Sequence, residues 1–536
     1  MTEWVWVPVL VLVCMAWRSF PRWLVRRGAL SLLFHDTWFH LLYAEEIAAN
    51  GHRVPRRIGG FLLSTHVAYP PAMHWLLSFF PRRWRERVEP LLGGLWDGLA
   101  AAALCGVAVG GIPGGTGGRG ALAVLLFLVT PAMLGAGWGP RALHGTPRVF
   151  GQMLFSLSAF GFLMYQTTGA WGWLAAAAGV GSLIFVSSLF SVQAFVFLNL
   201  LVALGLRSWV PVGLVLASLA MSLVWFKGYS LHLLRSQIRI LAAMERSLRR
   251  GQFDDVDIQR RNRWQEMFRW PLYVLTDPRK ARQQAKKQNT WLILLLQTPL
   301  VAGCFLLGGP TGGFATGPLS VAGLYVWAGL AVFVLTSLRP LLFLGEAERY
   351  VEHVVPLLCL TMAFSVASAP GGAGIWIPAL LLAYSLGAYL VLAVGFVRKG
   401  RRSMPRQAQV AAALDWIRVQ AAGGRFAVLP RSQMNLLIPY LAGGAVLYGQ
   451  WASHSPPEVQ ALRNPASTEF AACREGLFAR YRVDHVVVAT RARTEPGIRE
   501  LFSVYPVAFQ NEEVTVLTCR RDNLPVPGAG QRPPAG

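Results

Sequence analysis

Long apolar runs recur along this chain, joined in some places by short turns and in others by long polar stretches. The first covers 5–17, and others cover 91–109, 121–137, 150–165, 171–187, 189–206 and 210–226. After a polar interruption come 291–307, 319–338, 354–369 and 375–397. A helix of about 20 apolar residues crosses the hydrocarbon of a bilayer, so these runs predict about eleven spans. No Lys or Arg precedes the first run and no small-residue cleavage site follows it, so it reads as a retained span and not as a removed signal. Counting spans places the long polar loops at 18–89 and 227–290 on one face, together with 139–149, 339–353 and the C-terminal region. Only short connections, such as 110–120, 166–170 and 308–318, fall on the other.

Beyond residue 400 the pattern changes. Alternating strand-like segments at 425–429, 445–448, 485–489 and 514–519 are interleaved with helix-like segments at 410–420, 470–481 and 496–502. The expected architecture is mainly α: a polytopic membrane helical bundle over 1–399, a small soluble α/β domain over 400–522, and a Pro/Gly-rich tail over 523–536 that reads as disordered. Composition agrees. Of 536 residues, 54% are hydrophobic and only 14% charged, which excludes an ordinary soluble globular protein.

The net charge of +24, from 50 basic and 26 acidic residues, points to an anionic partner. The basic residues flank the spans and no nucleic-acid-binding signature accompanies them, so anionic membrane lipid is the expected partner and nucleic acid is not. Six cysteines show no zinc spacing. Cys14, Cys105, Cys304 and Cys359 fall in spans, where Cys behaves as a small apolar residue. Cys473 and Cys519 would bridge only on an oxidising side. No phosphate-binding Gly-rich loop and no Ser/His/Asp signature is present.

Three polar clusters stand out against this apolar background. The first is Phe34-His35-Asp36-Thr37-Trp38-Phe39-His40 with Glu45 and Glu46, directly after the first span. Its apolar positions 34, 38, 41, 42 and 47 recur at helical steps and predict a surface helix with Asp36 and His40 on one face. From the residues alone, a solvated interfacial helix and a functional site are equally good readings. The second cluster is the turn at 139–148, ending Gly145-Thr146-Pro147-Arg148, where Arg148 suits either a phosphate contact or headgroup anchoring. The third is Gly345-Glu346-Ala347-Glu348-Arg349-Tyr350-Val351-Glu352-His353 at the start of a span, where the planar fork of Arg349 suits a phosphate. Helix 230–250 reads as amphipathic and lying on the membrane. Asp254, Asp255 and Asp257 read as a solvated acidic turn.

Asp36-Thr37-Trp38-Phe39-His40 resembles the Asp-x-Trp-Phe-Asn motif in the first outer loop of the oligosaccharyltransferase catalytic subunit. With Tyr69-Pro70-Pro71 and a short apolar helix after it, the arrangement is similar to the GT-C superfamily of polytopic glycosyltransferases, which use polyprenyl-phosphate-linked sugars. Glu348-Arg349-Tyr350 before a Pro-led apolar helix also resembles a late-span motif of bacterial members. The resemblance implies a GT-C-like bundle that moves a sugar from a polyprenyl-phosphate donor to a lipid, glycan or protein hydroxyl. It implies Asp36 as catalytic base, or as contact for a divalent cation (Mg2+ or Mn2+), and Arg349 and Arg148 on the donor phosphate. His40, Glu45, Glu346, Glu348, Tyr350 and Tyr69 would support the substrates. The Trp-Trp-Asp-Tyr-Gly motif that reads a peptide acceptor is missing, so Asn-linked transfer is not expected. The rivals are a lipid or sugar transporter, disfavoured by the lack of internal repeats, and a degenerate GT-C scaffold that binds without turnover. The family places the Asp36 face outside the cytoplasm of a bacterial inner membrane. Arg18, Arg22, Arg26 and Arg27 after the first span point the other way.

Overall fold

The computed structural model describes residues 7–25, 35–63, 69–134, 145–249, 264–285, 289–306, 317–345, 347–368, 373–429, 432–448 and 468–519. The acidic run at 254–257 and the tail at 523–536 lie outside them. The chain divides into two compact units: Met1–Val25 with Ala68–Lys399, and Arg26–Val67 with Gly400–Gly536.

The first unit is helical, and each apolar run of the sequence falls on helix. Among the described residues six helices are long and apolar enough to cross a membrane: Arg82–Gly111, Pro147–Thr168, Leu189–Leu206, Pro318–Thr336, Glu348–Val366 and Trp376–Arg402. The bent pair Val210–Trp225 and Tyr229–Arg246 raises the number to seven. The other runs make shorter helices. The run 291–307 breaks into Thr290–Gln297 and Leu300–Leu306 because Pro299 cannot donate to the helical ladder. The chain is therefore a multi-pass membrane protein, and among the described residues six or seven of the runs make full-length spans.

Local chemistry sets where these helices start and stop. Thr146 caps Pro147–Thr168 by accepting from the Val149 N–H at 3.2 Å, and Pro147 occupies the first turn, where a missing N–H costs nothing. Ser188 caps Leu189–Leu206 in the same way. The 118° bend after Trp225 falls where Lys227 and Gly228 are both left-handed, at φ 48° and 76°. In the Tyr229–Arg249 helix beyond it, Leu233, Ser236 and Gln237 are buried while Leu231 and Ile238 are exposed.

The Glu348 helix is the centre of the unit, with 89% of its apolar window buried, against 11% for the Trp376 helix on the lipid side. The Val7–Val25 helix packs closely on Arg82–Gly106: a Cβ on Gly94 would meet the Met15 Cα at 2.8 Å. This contact places Arg18 against Asp97 with both side chains out of water.

The second unit is α/β. Its sheet comprises β1 (Arg425–Leu429), β2 (Ala445–Val446), β3 (His485–Ala489), β4 (Val507–Gln510) and β5 (Val514–Thr518), in the order β2-β1-β3-β5-β4. β1 pairs in parallel with β2 and β3, whereas β5 pairs antiparallel with β3 and β4. β4 escapes the hydropathy pattern because it is a short, largely exposed edge strand. The opposite edge is covered from the first polar loop: the Leu62 and Leu63 N–H groups donate to the Val446 and Leu447 carbonyls at 2.8 and 2.9 Å. Covering an edge in this way satisfies backbone groups that would otherwise invite pairing with another chain.

Candidate functional site

The helix His35–Ala49 carries the first polar cluster, and it is not the surface helix that the pattern predicts. From Thr37 to Ala44 every side chain is buried, including His40. Trp38 packs on Tyr440 at a centroid distance of 5.7 Å, and Phe39 stacks on Tyr43 at 5.9 Å. Burial of this whole stretch removes the solvated-helix reading. Asp36 lies in the first turn; its side chain is outside the described residues. Glu45 and Glu46 are half-buried near the helix end. Burial pushes the Glu46 carboxyl up from its ordinary value, opposed by the backbone N–H groups of Gly59 and Gly60.

In the first unit, the polar starts of three apolar helices contribute to one buried network. Arg148 lies in the first turn of Pro147–Thr168, Phe190, Ser191 and Gln193 in that of Leu189–Leu206, and Glu348 to His353 at the start of the Glu348 helix. Arg148 approaches Glu352 at 3.6 Å, beyond a direct hydrogen bond, and Gln152 donates to the same carboxylate at 3.0 Å. The His353 ring bonds the Arg349 carbonyl at 2.7 Å through Nδ1 and the Ser191 hydroxyl at 3.1 Å through Nε2. The Tyr350 hydroxyl donates to Gln193 at 3.2 Å. Arg349 lies over the Phe190 ring at 5.2 Å, a cation–π contact that holds the guanidinium without neutralising it.

Polar groups are expensive inside an apolar bundle, so a network of this size marks a site or a structural lock. Two features favour a site. Each helix start presents N–H groups carrying the positive end of its dipole. The two arginines retain partial exposure, whereas Glu348, Glu352 and His353 are buried.

Of the residues singled out by sequence, Arg148, Arg349 and Tyr350 belong to this network, and Glu348 is buried at the start of the same helix. Tyr69 lies apart from it in the same unit, edge-on to His74 at 5.5 Å, with its carbonyl accepting from the Tyr229 hydroxyl. Asp36, His40 and Glu45 belong to the second unit. Glu346 lies outside the described residues. Glu352 and His353, part of the third sequence cluster but given no role there, and Gln152, Ser191 and Gln193, which the sequence did not single out, complete the network. The available signal was the spacing of Arg148 with Gln152, and of Glu348 with Glu352, each four apart on one helix face. Among the described residues no three His, Cys, Asp or Glu side chains come together to hold a metal ion.

No protein-family model and no curated protein sequence matches this chain. Solved structures do match it. The chain is similar to ArnT from Cupriavidus metallidurans in the apo state, with a TM-score of 0.56, 14% identity, and coverage of 96% of this chain and 98% of that one. It is also similar to the same protein bound to undecaprenyl phosphate, with a TM-score of 0.57 over the same shares of both chains. The chain thus shares the ArnT fold across nearly the full length of both proteins.

Proposed function

We propose that this chain is a membrane glycosyltransferase that moves a sugar from a polyprenyl-phosphate donor to a hydroxyl acceptor. The observation that carries this reading is the fold shared with ArnT over 96% of the chain, one of whose structures holds undecaprenyl phosphate. The buried network supports it by supplying anion-binding chemistry at the starts of membrane helices. The active face lies outside the cytoplasm, as the GT-C resemblance implies.

In this reading the prenyl tail lies in the bilayer beside the bundle. The donor phosphate binds Arg349 and Arg148, with Glu348, Tyr350 and the Glu352–Gln152 pair fixing the arginines. Asp36 takes the proton from the acceptor hydroxyl as its oxygen attacks the anomeric carbon. The bond from that carbon to the phosphate oxygen breaks, and polyprenyl phosphate leaves as an anion stabilised by the two guanidiniums. General-base help of this kind is worth about 10²–10⁴-fold, and preorganised positive charge at the leaving group adds to it. His40, Glu45, Glu346 and Tyr69 support the substrates. No step is routed through a divalent cation.

The test is transfer in proteoliposomes supplied with polyprenyl-phosphate-linked hexose or pentose and a membrane extract as acceptor. The expected result is protein-dependent release of polyprenyl phosphate, lost in Asp36→Asn with the folded yield unchanged. Donor that binds but is never turned over by the wild-type protein overturns the enzymatic reading and leaves a lipid-binding scaffold.

A further inference from the structure

The loop after the His35–Ala49 helix frames an open cavity of about 790 Å³, lined by Glu46, Asn50, Arg53, Arg56, Arg57 and Gly59. We propose that this cavity binds an anion carrying two or more phosphate or carboxylate groups. It belongs wholly to the second unit, and the inference does not depend on the glycosyltransferase reading.

Three guanidiniums line the cavity and only one carboxylate accompanies them. That carboxylate is turned to the backbone: Glu46 Oε1 accepts the Gly59 N–H at 3.1 Å. Arg53, Arg56 and Arg57 are exposed and make no ion pair among the described residues. Elsewhere in the same unit arginines do find carboxylates, as Arg406 does with Glu513 and Arg474 with Glu500. Three like charges held near one another repel, and a bound polyanion offsets that cost.

The loop is also held in place before any ligand arrives. Gly51 and His52 are left-handed, at φ 63° and 59°, and end the helix with the His52 N–H on the Ile47 carbonyl. The Asn50 side chain donates to the Arg53 carbonyl at 3.0 Å. Ile58 and Phe61 are buried, and Leu62 joins the sheet edge at Val446. The backbone carrying the arginines is therefore pinned at both ends, so binding orders side chains and little else. A single phosphate would fill a small part of a cavity this size and engage one guanidinium fork. Several anionic groups on one molecule would engage all three.

The fitting chemistry occurs both on soluble polyanions and on multiply charged lipid headgroups, and the experiment separates the two. Full-length protein in detergent is titrated calorimetrically with inorganic tripolyphosphate. In a parallel arm, retention of cardiolipin over phosphatidylcholine is read by native mass spectrometry. The cavity variant is R53Q/R56Q/R57Q; the charge-matched control is R480Q/R491Q/R499Q, three exposed arginines of the same unit. Tripolyphosphate binding that weakens at least tenfold in the cavity variant and less than twofold in the control supports a soluble polyanion. Cardiolipin retention lost in the cavity variant and kept in the control supports a headgroup. Equal weakening in both variants means diffuse electrostatics and overturns the proposal, as does wild-type protein that binds neither probe.

Discussion

Two arginine–carboxylate pairs in the first unit show how differently a membrane bundle uses the same chemistry. Arg18 meets Asp97 at 2.9 Å with side-chain exposures of 0% and 3%. Its remaining donors reach the Leu128 and Phe127 carbonyls at 2.9 and 3.1 Å, and the rings of Phe127 and Tyr389 flank the guanidinium. Arg148 and Glu352 are 3.6 Å apart, and Arg148 retains 13% exposure. The first pair is closed: charge, donors and faces are all taken by the protein. The second is looser: its arginine sits in the first turn of a helix and keeps a share of solvent exposure. Burial with full satisfaction builds structure; a looser pair with one partly exposed partner suits the donor site proposed above.

The largest expected effect breaks the closed pair. Asp97→Ala leaves a buried, uncompensated guanidinium, and removing one partner of such a pair costs about 3–5 kcal/mol. Folded yield and detergent melting temperature should fall sharply. The double change Arg18→Met with Asp97→Leu should recover most of the loss, since a well-packed apolar pair often replaces a buried ion pair at little cost. Recovery that fails would mean that the carbonyl contacts of Arg18, and not its charge balance, hold the helices together.

The looser pair should behave the other way. Arg148→Gln should lower the rate of sugar transfer by about 10²-fold, the usual effect of removing one charge-stabilising donor, while stability changes little. Arg349→Gln should act similarly. Glu352→Gln should keep the fold and shift donor affinity, because Arg148 would then be freer to meet the phosphate. A large loss of stability in Arg148→Gln, without an activity defect in the surviving protein, would make the looser pair a structural lock like the first.

This contrast was only partly legible in the sequence. The spans were, because long apolar runs have few alternatives to helix in a bilayer. The place of Arg148 and Arg349 at helix starts was, since charges beside an apolar run are conspicuous. Their partners were not: Gln152 meets Glu352 across 200 residues, which no local pattern reports. Arg18 was read as a charge beyond the first span, yet the helix runs on to Val25 and Arg18 is fully buried. It is therefore no surface charge and drops out of the sidedness argument from basic residues. The first polar helix misled for the opposite reason. Its periodicity suggested one wet face, but every side chain from Thr37 to Ala44 is buried.

A third buried group gives a smaller, pH-dependent effect. His74, in the short helix Ala72–Ser78, is fully buried, and its Nδ1 bonds the Pro70 carbonyl at 3.0 Å. Burial lowers its pKa from 6.5 to about 3, with the Pro70 bond opposing the shift. The unfolded chain therefore takes up a proton below pH 6.5 that the folded protein refuses, and stability falls as pH drops from there toward 3. At pH 5 the loss is on the order of 2 kcal/mol. Melting temperature measured between pH 7.5 and 5 should decline in the wild type and decline less in His74→Gln. Parallel slopes in the two proteins would remove His74 as the cause.

The smallest expected effect sharpens the comparison by separating distance from burial. Arg406 and Glu513 in the second unit are 2.8 Å apart, slightly closer than Arg18 and Asp97, but their side chains are 50% and 26% exposed. Water solvates both partners in the broken state, so an exposed pair of this kind contributes about 0–1 kcal/mol, and salt screens it. Glu513→Gln should therefore shift the melting temperature by no more than a degree or two at low salt and by less in 0.5 M NaCl, where the Debye length is only about 4 Å. The side chain of Asn511 holds the same turn independently, accepting from the Glu513 and Val514 N–H groups at 3.0 and 2.8 Å, so the backbone keeps its shape in the variant. A loss as large as that of Asp97→Ala would show that bond length, and not exclusion of water, sets the worth of these pairs.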